Sequence, residues 1–547
     1  MDFPFERVNL NNELVELLPR NNQYSTLCDT YKLDRYIMKV KKSLLNILSG
    51  ICGQIITIAL GIIIPRLVLV NLGSEINGLL NSINQVLVYI ALLEAGVGTA
   101  TIQALYGPIA KKEELSINQI LSATSQYYKR TSVIYLLVVM AVSLVFPLII
   151  ITTVSKAIII VVIILSGLPG VINFYYQGKF KLLLQAEGKS YIITNLVTII
   201  QIATSVSKIL LLLSGFGVVA LQIMYLLFSM AQMIFISIYI KRHYKWLDLS
   251  VKPDYDSISQ KKSVLIHQIS TLIFSNTDTL IISVFLGLKL VSVYSMYKLL
   301  FSMIGTMIQN INSGVIFLLG QTYYSDKSEF IKMHDAFELY NMTLTFSMFC
   351  IANIFLLPFL NLYTTGVTDI NYIDKTILQL FIVTFLLSNG RTSSAQVIVY
   401  AGHFKLTQWR SVLESSINIL VSVVLVQFIG IYGVLVGTIV ALLYRTNDMI
   451  LYASHNIMHR KAWIVYRRWF VNCAVYAGFT IINGYLNLEL NSYTQIFVWA
   501  CVAVIMIVPI FFIITSLFDK PTYFYVLNII KTQLKKVFRS KIITKSN

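Results

Sequence analysis

Four cations lie within long apolar stretches of this chain, and their type favours recognition of an anion. Arg391 is the centre of SNGRTSSAQ, and its planar guanidinium can bond two phosphate oxygens at once, which Lys cannot do. Arg66, Lys298 and Lys208 lie in three other apolar stretches. Charged groups inside a membrane usually face a cavity or a partner. We therefore expect all four to be substrate-binding cations, with an ion pair to a buried carboxylate as the alternative.

Two carboxylates have similar apolar surroundings. Glu94, in YIALLEAGVGTA, shares a helix face with Asn84. It either couples an ion or contacts polar cargo, or it is a buried carboxyl that locks helix packing. Asp278, in SNTDTL, either takes H⁺ or Na⁺ or pairs with Lys298 on the adjacent span, and we favour the pairing. Gln177 stands 214 residues before Arg391, and we expect it, like Asn84, to be a polar cavity residue.

No cofactor or metal site is expected. The five cysteines have neither metal-binding nor disulfide spacing. The phosphate-binding motif G-x-x-x-x-G-K-[ST] is absent from the sequence, which excludes an ATP-driven exporter built from this chain alone.

Long apolar helices must hold these polar groups. Hydrophobic residues form 56% of the 547 residues, charged residues form 12%, and mean hydropathy is +0.72, as in a polytopic membrane protein. A helix needs about 20 apolar residues to span the hydrocarbon layer. The sequence predicts an all-α fold with fourteen spans, at 44–70, 76–103, 131–154, 157–184, 191–213, 217–240, 263–287, 290–318, 337–362, 377–401, 407–429, 432–454, 469–487 and 494–518.

The distribution of basic residues predicts the orientation. With the N-terminus inside, the inward segments hold 36 of the 43 Lys and Arg residues, and the outward loops hold Lys156, Lys289 and Lys375. This asymmetry follows the positive-inside rule and places both termini in the cytoplasm. The formal charge of +18 therefore reflects orientation and contact with anionic lipid, so the bilayer, not a nucleic acid, is the expected partner.

The chain repeats itself at an interval of about 214 residues. Gly73 and Gly287 each follow a span in an LG pair, and Gly188 and Gly402 are also 214 residues apart. The first six spans and the next six are thus two copies of one unit, which are parallel because six is even. The predicted parts are a cytoplasmic extension (1–43), an N-lobe (44–240), a cytoplasmic linker (241–262), a C-lobe (263–454), two extra spans with a basic linker (455–518) and a basic tail (519–547).

Corresponding spans of the two lobes are interrupted. SGLPG and NFYYQGK interrupt the fourth span, and SNGRTSSAQ interrupts the tenth. Paired interruptions in repeated halves indicate a transport site, because irregular backbone is tolerated only where it lines a cavity. We expect a transporter that works by alternating access and is not an enzyme.

Two segments, from KKSLLNILSG to LYGPIAKK and from AGHFKLTQWR to IVALLYR, resemble bacterial polysaccharide flippases of the O-antigen and capsule type. These belong to the multidrug, oligosaccharidyl-lipid and polysaccharide exporter superfamily. The likeness covers about residues 40 to 518. It implies movement of an undecaprenyl-diphosphate-linked oligosaccharide from the inner to the outer leaflet of the bacterial cytoplasmic membrane, with Arg66, Lys298 and Arg391 able to meet the diphosphate. We also expect a monomer that works with the polysaccharide polymerase machinery.

Two other functions compete with this interpretation. A multidrug and toxin extrusion antiporter would share the fold, but acidic residues would dominate a cavity for organic cations. A polysaccharide polymerase or ligase needs a large outward loop, whereas the longest here, 363–376, is short. Fold alone does not separate these classes.

Overall fold

The computed structural model describes residues 56–57, 59–94, 97–258, 262–485, 490–529 and 531. All regular secondary structure among them is helical, which confirms the predicted all-α class. The predicted extension (1–43) and most of the predicted tail (519–547) lie outside the described residues, and the predicted domain limits stay predictions.

The described residues form seventeen α-helices, numbered in chain order. They are α1 (59–90), α2 (Val97–Lys111), α3 (Glu114–Ile149), α4 (Lys156–Ile172), α5 (Gly178–Ala186), α6 (Ser190–Leu213), α7 (Val218–His243), α8 (Lys262–Phe285), α9 (Leu288–Ser325), α10 (Lys327–Tyr363), α11 (Lys375–Gly390), α12 (Thr392–Tyr400), α13 (Phe404–Ile429), α14 (Ile431–Tyr452), α15 (Trp463–Tyr485), α16 (Tyr493–Phe518) and α17 (520–529). A 3₁₀ turn, Ala91–Glu94, continues α1, and π-helical turns occupy Asn173–Gln177 and Ala453–Ile457.

Where the structure describes them, the predicted spans fall on these helices. Ten described helices are long and apolar enough to cross a membrane. The described part of the first predicted span lies mainly on α1, and the second lies on α1, the 3₁₀ turn and the start of α2; between the two spans, Gly73 has a φ of +83°. The tenth span is divided between α11 and α12, and the thirteenth, α15, contains Arg467 and Arg468, which lower its hydropathy.

Backbone geometry confirms the internal repeat. A left-handed backbone is costly for residues with a Cβ, so glycine marks these turns. Both glycine pairs of the repeat, and a third pair formed by Gly215 and Gly430, have similar positive φ in the two copies. The values are +83° and +90° at Gly73 and Gly287, +70° and +67° at Gly188 and Gly402, and +78° and +60° at Gly215 and Gly430.

The two extra spans pack on the C-lobe. Val465 of α15 and Phe511 of α16 belong to the same buried cluster as Phe346 and Phe349 of α10. The rings of Phe346 and Trp469 meet edge to face, with centroids 5.4 Å apart. These contacts make α15 and α16 a flank of the C-lobe.

Buried ions join the same helices. Glu338 of α10 is fully buried and accepts hydrogen bonds from Arg468 at 2.6 Å and Arg460 at 2.8 Å. Arg468 also donates to Asp519 at 2.8 and 3.0 Å. Burial alone would raise the pKa of Asp519, but the Arg468 guanidinium and its hydrogen bonds hold that pKa below its usual value.

Candidate functional site

The lobes meet at the end of the molecule that carries Gly73 and Gly287. The charge distribution predicts that this end is outside, and it is called the outer end below; the opposite end is the basic end. Ser74 of α1 donates to Asp369 and shares a hydrogen bond of 2.6 Å with Tyr372, both in the C-lobe. A Cβ added at Gly78 would lie only 1.9 Å from the Leu288 carbonyl oxygen. The outer end is therefore closed.

Arg66 belongs to this closure. Its Nη1 donates to the carbonyl oxygens of Leu362 and Tyr363, at 2.8 and 2.6 Å, and to the Tyr493 hydroxyl at 2.7 Å. These carbonyls are at the C-terminus of α10, where the helix dipole attracts a cation. Tyr363 in turn donates to the Ile62 carbonyl at 2.5 Å. The structure thus places Arg66 in a bond between the lobes and gives it neither a carboxylate partner among the described residues nor a free cavity position.

The basic end is arranged differently. None of the ion pairs found there among described residues joins the N-lobe to the C-lobe: Lys189 pairs with Glu187 inside the N-lobe, and Arg460 of the basic linker pairs with Asp335 of the C-lobe. Tyr89, near the end of α1, makes the innermost of the hydrogen bonds between the lobes described here, to Thr277 and the Ile273 carbonyl of α8. Among the described residues, the bonds between the lobes thus lie mainly toward the outer end, which is the arrangement expected of an inward-facing transporter.

The outer half of the N-lobe contains a partly open cavity of about 330 Å³ that is lined by both polar and apolar side chains. Helices α1, α4, α6 and α7 form its walls. The polar groups that line it are Asn77, Asn81, Asn84, Ser166, Lys208, Gln222 and Tyr225. No carboxylate is among its described lining residues, so its formal charge is positive.

Lys208 and Asn84 are the predicted site residues that this cavity brings together. The Lys208 ammonium lies 5.2 Å from the centroid of the Tyr225 ring, and no described residue forms an ion pair with it. Asn84 is exposed on the side of α1 that faces the cavity. Asn77 connects the cavity to the outer closure, because its amide donates to Ser292 of the C-lobe at 2.6 Å.

Asp278 lies in a buried oxygen-rich site between α8, α9, α13 and α14. Its carboxylate accepts hydrogen bonds from Thr438 at 2.7 Å, Tyr294 at 3.0 Å and Asn418 at 3.3 Å. The side-chain oxygen of Asn418 is buried without a partner among the described residues. The Val434 carbonyl is 3.1 Å from the Thr438 hydroxyl. A carboxylate with amide, hydroxyl and carbonyl oxygens suits a small hard cation or a proton.

The favoured pairing of Asp278 with Lys298 is not a direct contact in this structure, although the two opposite charges attract each other at longer range. Lys298 donates to the Ser275 carbonyl at 2.7 Å and lies 5.7 Å from the Tyr294 ring centroid. Among the ion pairs of the described residues, none joins Lys298 to Asp278 within 4 Å. The physical reason is that three uncharged donors already satisfy the carboxylate, while a carbonyl of α8 is within reach of the long lysine chain.

Arg391 lies at the break between α11 and α12, as the sequence predicts. Its side chain forms an ion pair and is not free in a cavity. Its Nη1 lies 2.6 Å from Glu414, whose other oxygen is 3.5 Å from Arg445. Arg445 also contacts Asp448, which bonds Arg410. This alternating cluster has three guanidiniums and two carboxylates, so one positive charge is in excess. The ion-pair alternative holds for Arg391 in this conformation.

The other predicted positions are in the N-lobe. The hydroxyl of buried Tyr128 donates to the Glu94 carboxylate, which is the contact expected of a packing carboxyl. The π-helical turn Asn173–Gln177 interrupts the fourth span at the place that corresponds to Arg391, which confirms the paired interruptions. The side chain of Gln177 lies outside the described residues.

Sequence reasoning missed the partners of these groups. It counted Arg445 as a charge of a cytoplasmic segment, whereas Arg445 is on α14 and only 2% exposed. The spacing of Arg445 and Asp448, three residues apart within an apolar span, was the available signal. It gave no weight to Asn418 and Thr438 near Asp278, because a single Asn or Thr in a span is common.

One group has metal-ligand geometry. The ligand atoms of His334, Asp335 and Glu338 lie within 4.8 Å of one another. Arg460 and Arg468 bond both carboxylates, so their positive charge opposes a cation there.

Comparison with known proteins identifies the fold. No protein-family model matches the chain, and no curated protein matches its sequence. Among solved structures, the lipid II flippase MurJ in an inward closed conformation superposes with a TM-score of 0.63 at 13% identity, covering 87% of this chain and 99% of that chain. An inward-facing multidrug resistance MATE transporter of the MOP superfamily gives 0.61 at 15% identity, covering 73% and 94%. An outward-facing MATE transporter gives 0.50 at 15% identity, covering 76% and 95%. The chain has the fold of these MOP-superfamily membrane proteins.

Proposed function

We propose that this protein is a flippase that moves undecaprenyl-diphosphate-linked oligosaccharide from the inner to the outer leaflet of a bacterial cytoplasmic membrane. The observation that carries this proposal is the N-lobe cavity, where Lys208 stands among amide and phenol groups with no described carboxylate. Amides and phenols hydrogen-bond sugar hydroxyls, and an ammonium attracts a phosphate. The translocated oligosaccharide is used in surface polysaccharide synthesis. The polymerase partner and the monomeric state stay predictions.

The cavity supplies what such a substrate needs. A diphosphate or an unpaired sugar hydroxyl is costly to bury in hydrocarbon. The exposed amide of Asn84 and the ammonium of Lys208, which no described residue ion-pairs, offer replacements for water, while the lipid tail stays in the bilayer. Arg391 is a weaker candidate for binding the phosphate, because its Nη1 already donates to Glu414. Its proposed role in phosphate binding requires exchange of that partner.

The contacts between the lobes at the outer end form the gate that must open during alternating access. Arg66, Ser74 and Asn77 hold the lobes together at the outer end, so substrate enters from the basic end in this state. Asn77 belongs to both the cavity wall and the closure. A substrate that bonds the Asn77 amide competes with Ser292 for it, which weakens the closure as the cavity fills.

Asp278 is proposed as the coupling site. Its carboxylate, the Asn418 oxygen without a described partner and the Thr438 hydroxyl form a donor set for a co-transported Na⁺ or H⁺. The Asp278 site joins α8, α13 and α14 within the C-lobe. Cation binding would thus change the packing of the C-lobe, which provides one side of the contacts that close the outer end.

A cation antiporter with the same fold is the second candidate, because Asp278 alone would suit it. The cavity chemistry disfavours it, since an organic cation would meet Lys208 with no described carboxylate to neutralise it. The two candidates differ in the charge of the transported molecule, which is measurable.

Transport in proteoliposomes tests the proposal. Purified protein is reconstituted with a fluorescent lipid-diphosphate oligosaccharide, and its outer-leaflet fraction is followed by lectin binding or a membrane-impermeant quencher. Loss of a charge-assisted hydrogen bond costs about 1.5–3 kcal/mol, so Lys208→Gln should raise the substrate concentration for half-maximal rate about 10- to 150-fold. Lys208→Arg should retain more activity than Lys208→Gln, and exposed Lys156→Gln is the control. Wild-type protein that moves a fluorescent organic cation, but not the lipid, would reject the proposal.

A further inference from the structure

A second cavity lies at the basic end, outside the N-lobe cavity and outside the contact between the lobes. It has a volume of about 400 Å³ and lies between α10, α16 and α17. The side chains that shape it are Tyr340, Phe512, Ile513, Leu517, Tyr523 and Leu527. No ionisable carboxylate or cation lines its described interior. We call it the α17 cleft.

The floor and one wall of the α17 cleft are fixed by ring and hydroxyl contacts. Tyr340 and Phe512 stack with centroids 5.4 Å apart and planes at 10°. The Tyr340 hydroxyl shares a hydrogen bond of 3.1 Å with Ser516. On α17, the Tyr525 hydroxyl donates to Glu329 of α10 at 2.5 Å. The cleft is therefore preformed.

The chain turn before α17 is also fixed. Arg468 donates to Asp519 at 2.8 and 3.0 Å and to Thr522 at 3.4 Å. Asp519 and Thr522 are both buried. These bonds hold α17 against the bundle, so the cleft between α16 and α17 keeps its width.

Exposure and charge indicate what the α17 cleft binds. Leu517 is 60% exposed and Phe524 is 58% exposed, as expected of side chains that face lipid at the membrane surface. Lys520 and Lys531 are both exposed, and Lys520 shares a face of α17 with Leu527, which follows it by seven residues. An apolar cleft with cations at its rim matches an acyl chain joined to an anionic headgroup.

We propose that the α17 cleft binds an anionic phospholipid of the leaflet at the basic end. One acyl chain lies between Phe512 and Leu527, and Lys520 and Lys531 supply positive charge at the membrane surface that attracts the anionic headgroup. The site is separate from the transported molecule, because neither α17 nor this face of α16 is among the described walls of the N-lobe cavity. The lipid stabilises the attachment of α17, and through Arg468 that of α15, to the C-lobe.

Native mass spectrometry of the full-length protein, titrated with phosphatidylglycerol or phosphatidylcholine of the same acyl chains, tests this site. Each lysine near a lipid surface contributes about fivefold, so phosphatidylglycerol should bind about 25-fold more tightly than phosphatidylcholine. The double variant Lys520→Gln, Lys531→Gln should lose this preference. Leu527→Trp should weaken binding about fourfold for each acyl methylene that the indole displaces.

Two controls and a competitor separate this site from general lipid adhesion. Ile505→Trp changes a 72% exposed residue of α16 outside the cleft, and Lys156→Gln removes an exposed lysine at the outer end. Both should bind phosphatidylglycerol as wild type does. The proposal is overturned if the Leu527→Trp protein binds it equally well, if both phospholipids bind alike, or if Leu527→Trp weakens the binding of undecaprenyl phosphate more than that of phosphatidylglycerol. These results are independent of whether the protein transports a glycolipid.

Discussion

Removal of the Arg66 guanidinium should open the outer end. Arg66 bonds the Leu362 and Tyr363 carbonyls only while the lobes are together there, so the bonds stabilise the inward-facing state and no other. Taking about 1.5 kcal/mol for each of the two charge-assisted bonds gives about 3 kcal/mol. Since the Tyr493 bond is exposed, it is left out. Arg66→Ala should then shift the ratio of outward-facing to inward-facing protein by about 150-fold.

Double electron–electron resonance measures this ratio. Spin labels at Lys156→Cys in the N-lobe and Lys375→Cys in the C-lobe report the outer opening, in a background where the five native cysteines are replaced by serine. Arg66→Ala should add a population at longer distance, and Arg66→Lys should give an intermediate result. Arg130→Ala, an exposed arginine at the basic end of α3, is the control. A folded Arg66→Ala protein with the wild-type distance distribution would refute the reasoning.

Three further perturbations concern close contacts. Gly78→Ala places a methyl against the Leu288 carbonyl and should also open the outer end in the same resonance experiment, whereas Gly107→Ala, which has open space around it, should not. Asp278→Asn should abolish the Na⁺ or pH dependence of transport in proteoliposomes, and unchanged dependence would remove Asp278 as the coupling site. Glu338→Gln removes the fully buried carboxylate that Arg460 and Arg468 share and should lower the free energy of unfolding by about 3 kcal/mol; an unchanged melting temperature would contradict this.

The fold was largely predictable because lipid imposes strong rules on sequence. Apolar length gave the spans, and matched glycines gave the repeat that the backbone angles at Gly73 and Gly287 confirm. The interruptions at Asn173–Gln177 and Arg391 were also readable, because small polar residues in a span break the apolar pattern. These are local signals, so no knowledge of helix packing was needed.

The partners of the charged groups were not predictable, because they depend on how helices rotate against each other. Arg391 and Glu414 are 23 residues apart on different helices, and nothing local joins them. Arg66 binds backbone carbonyls, which every sequence contains. Lys208 had the least distinctive sequence surroundings of the four predicted cations, yet it lines the N-lobe cavity. For such groups, burial and cavity shape decide the role.

The leaflet distribution of lipid-diphosphate-linked oligosaccharide in cells that lack this protein tests the central claim most directly. It is measured together with the amount of surface polymer, in cells complemented with wild type or with Lys208→Gln. The proposed flippase predicts accumulation on the cytoplasmic face and loss of polymer, restored by wild type and restored poorly by Lys208→Gln. An unchanged distribution with normal polymer would contradict the account.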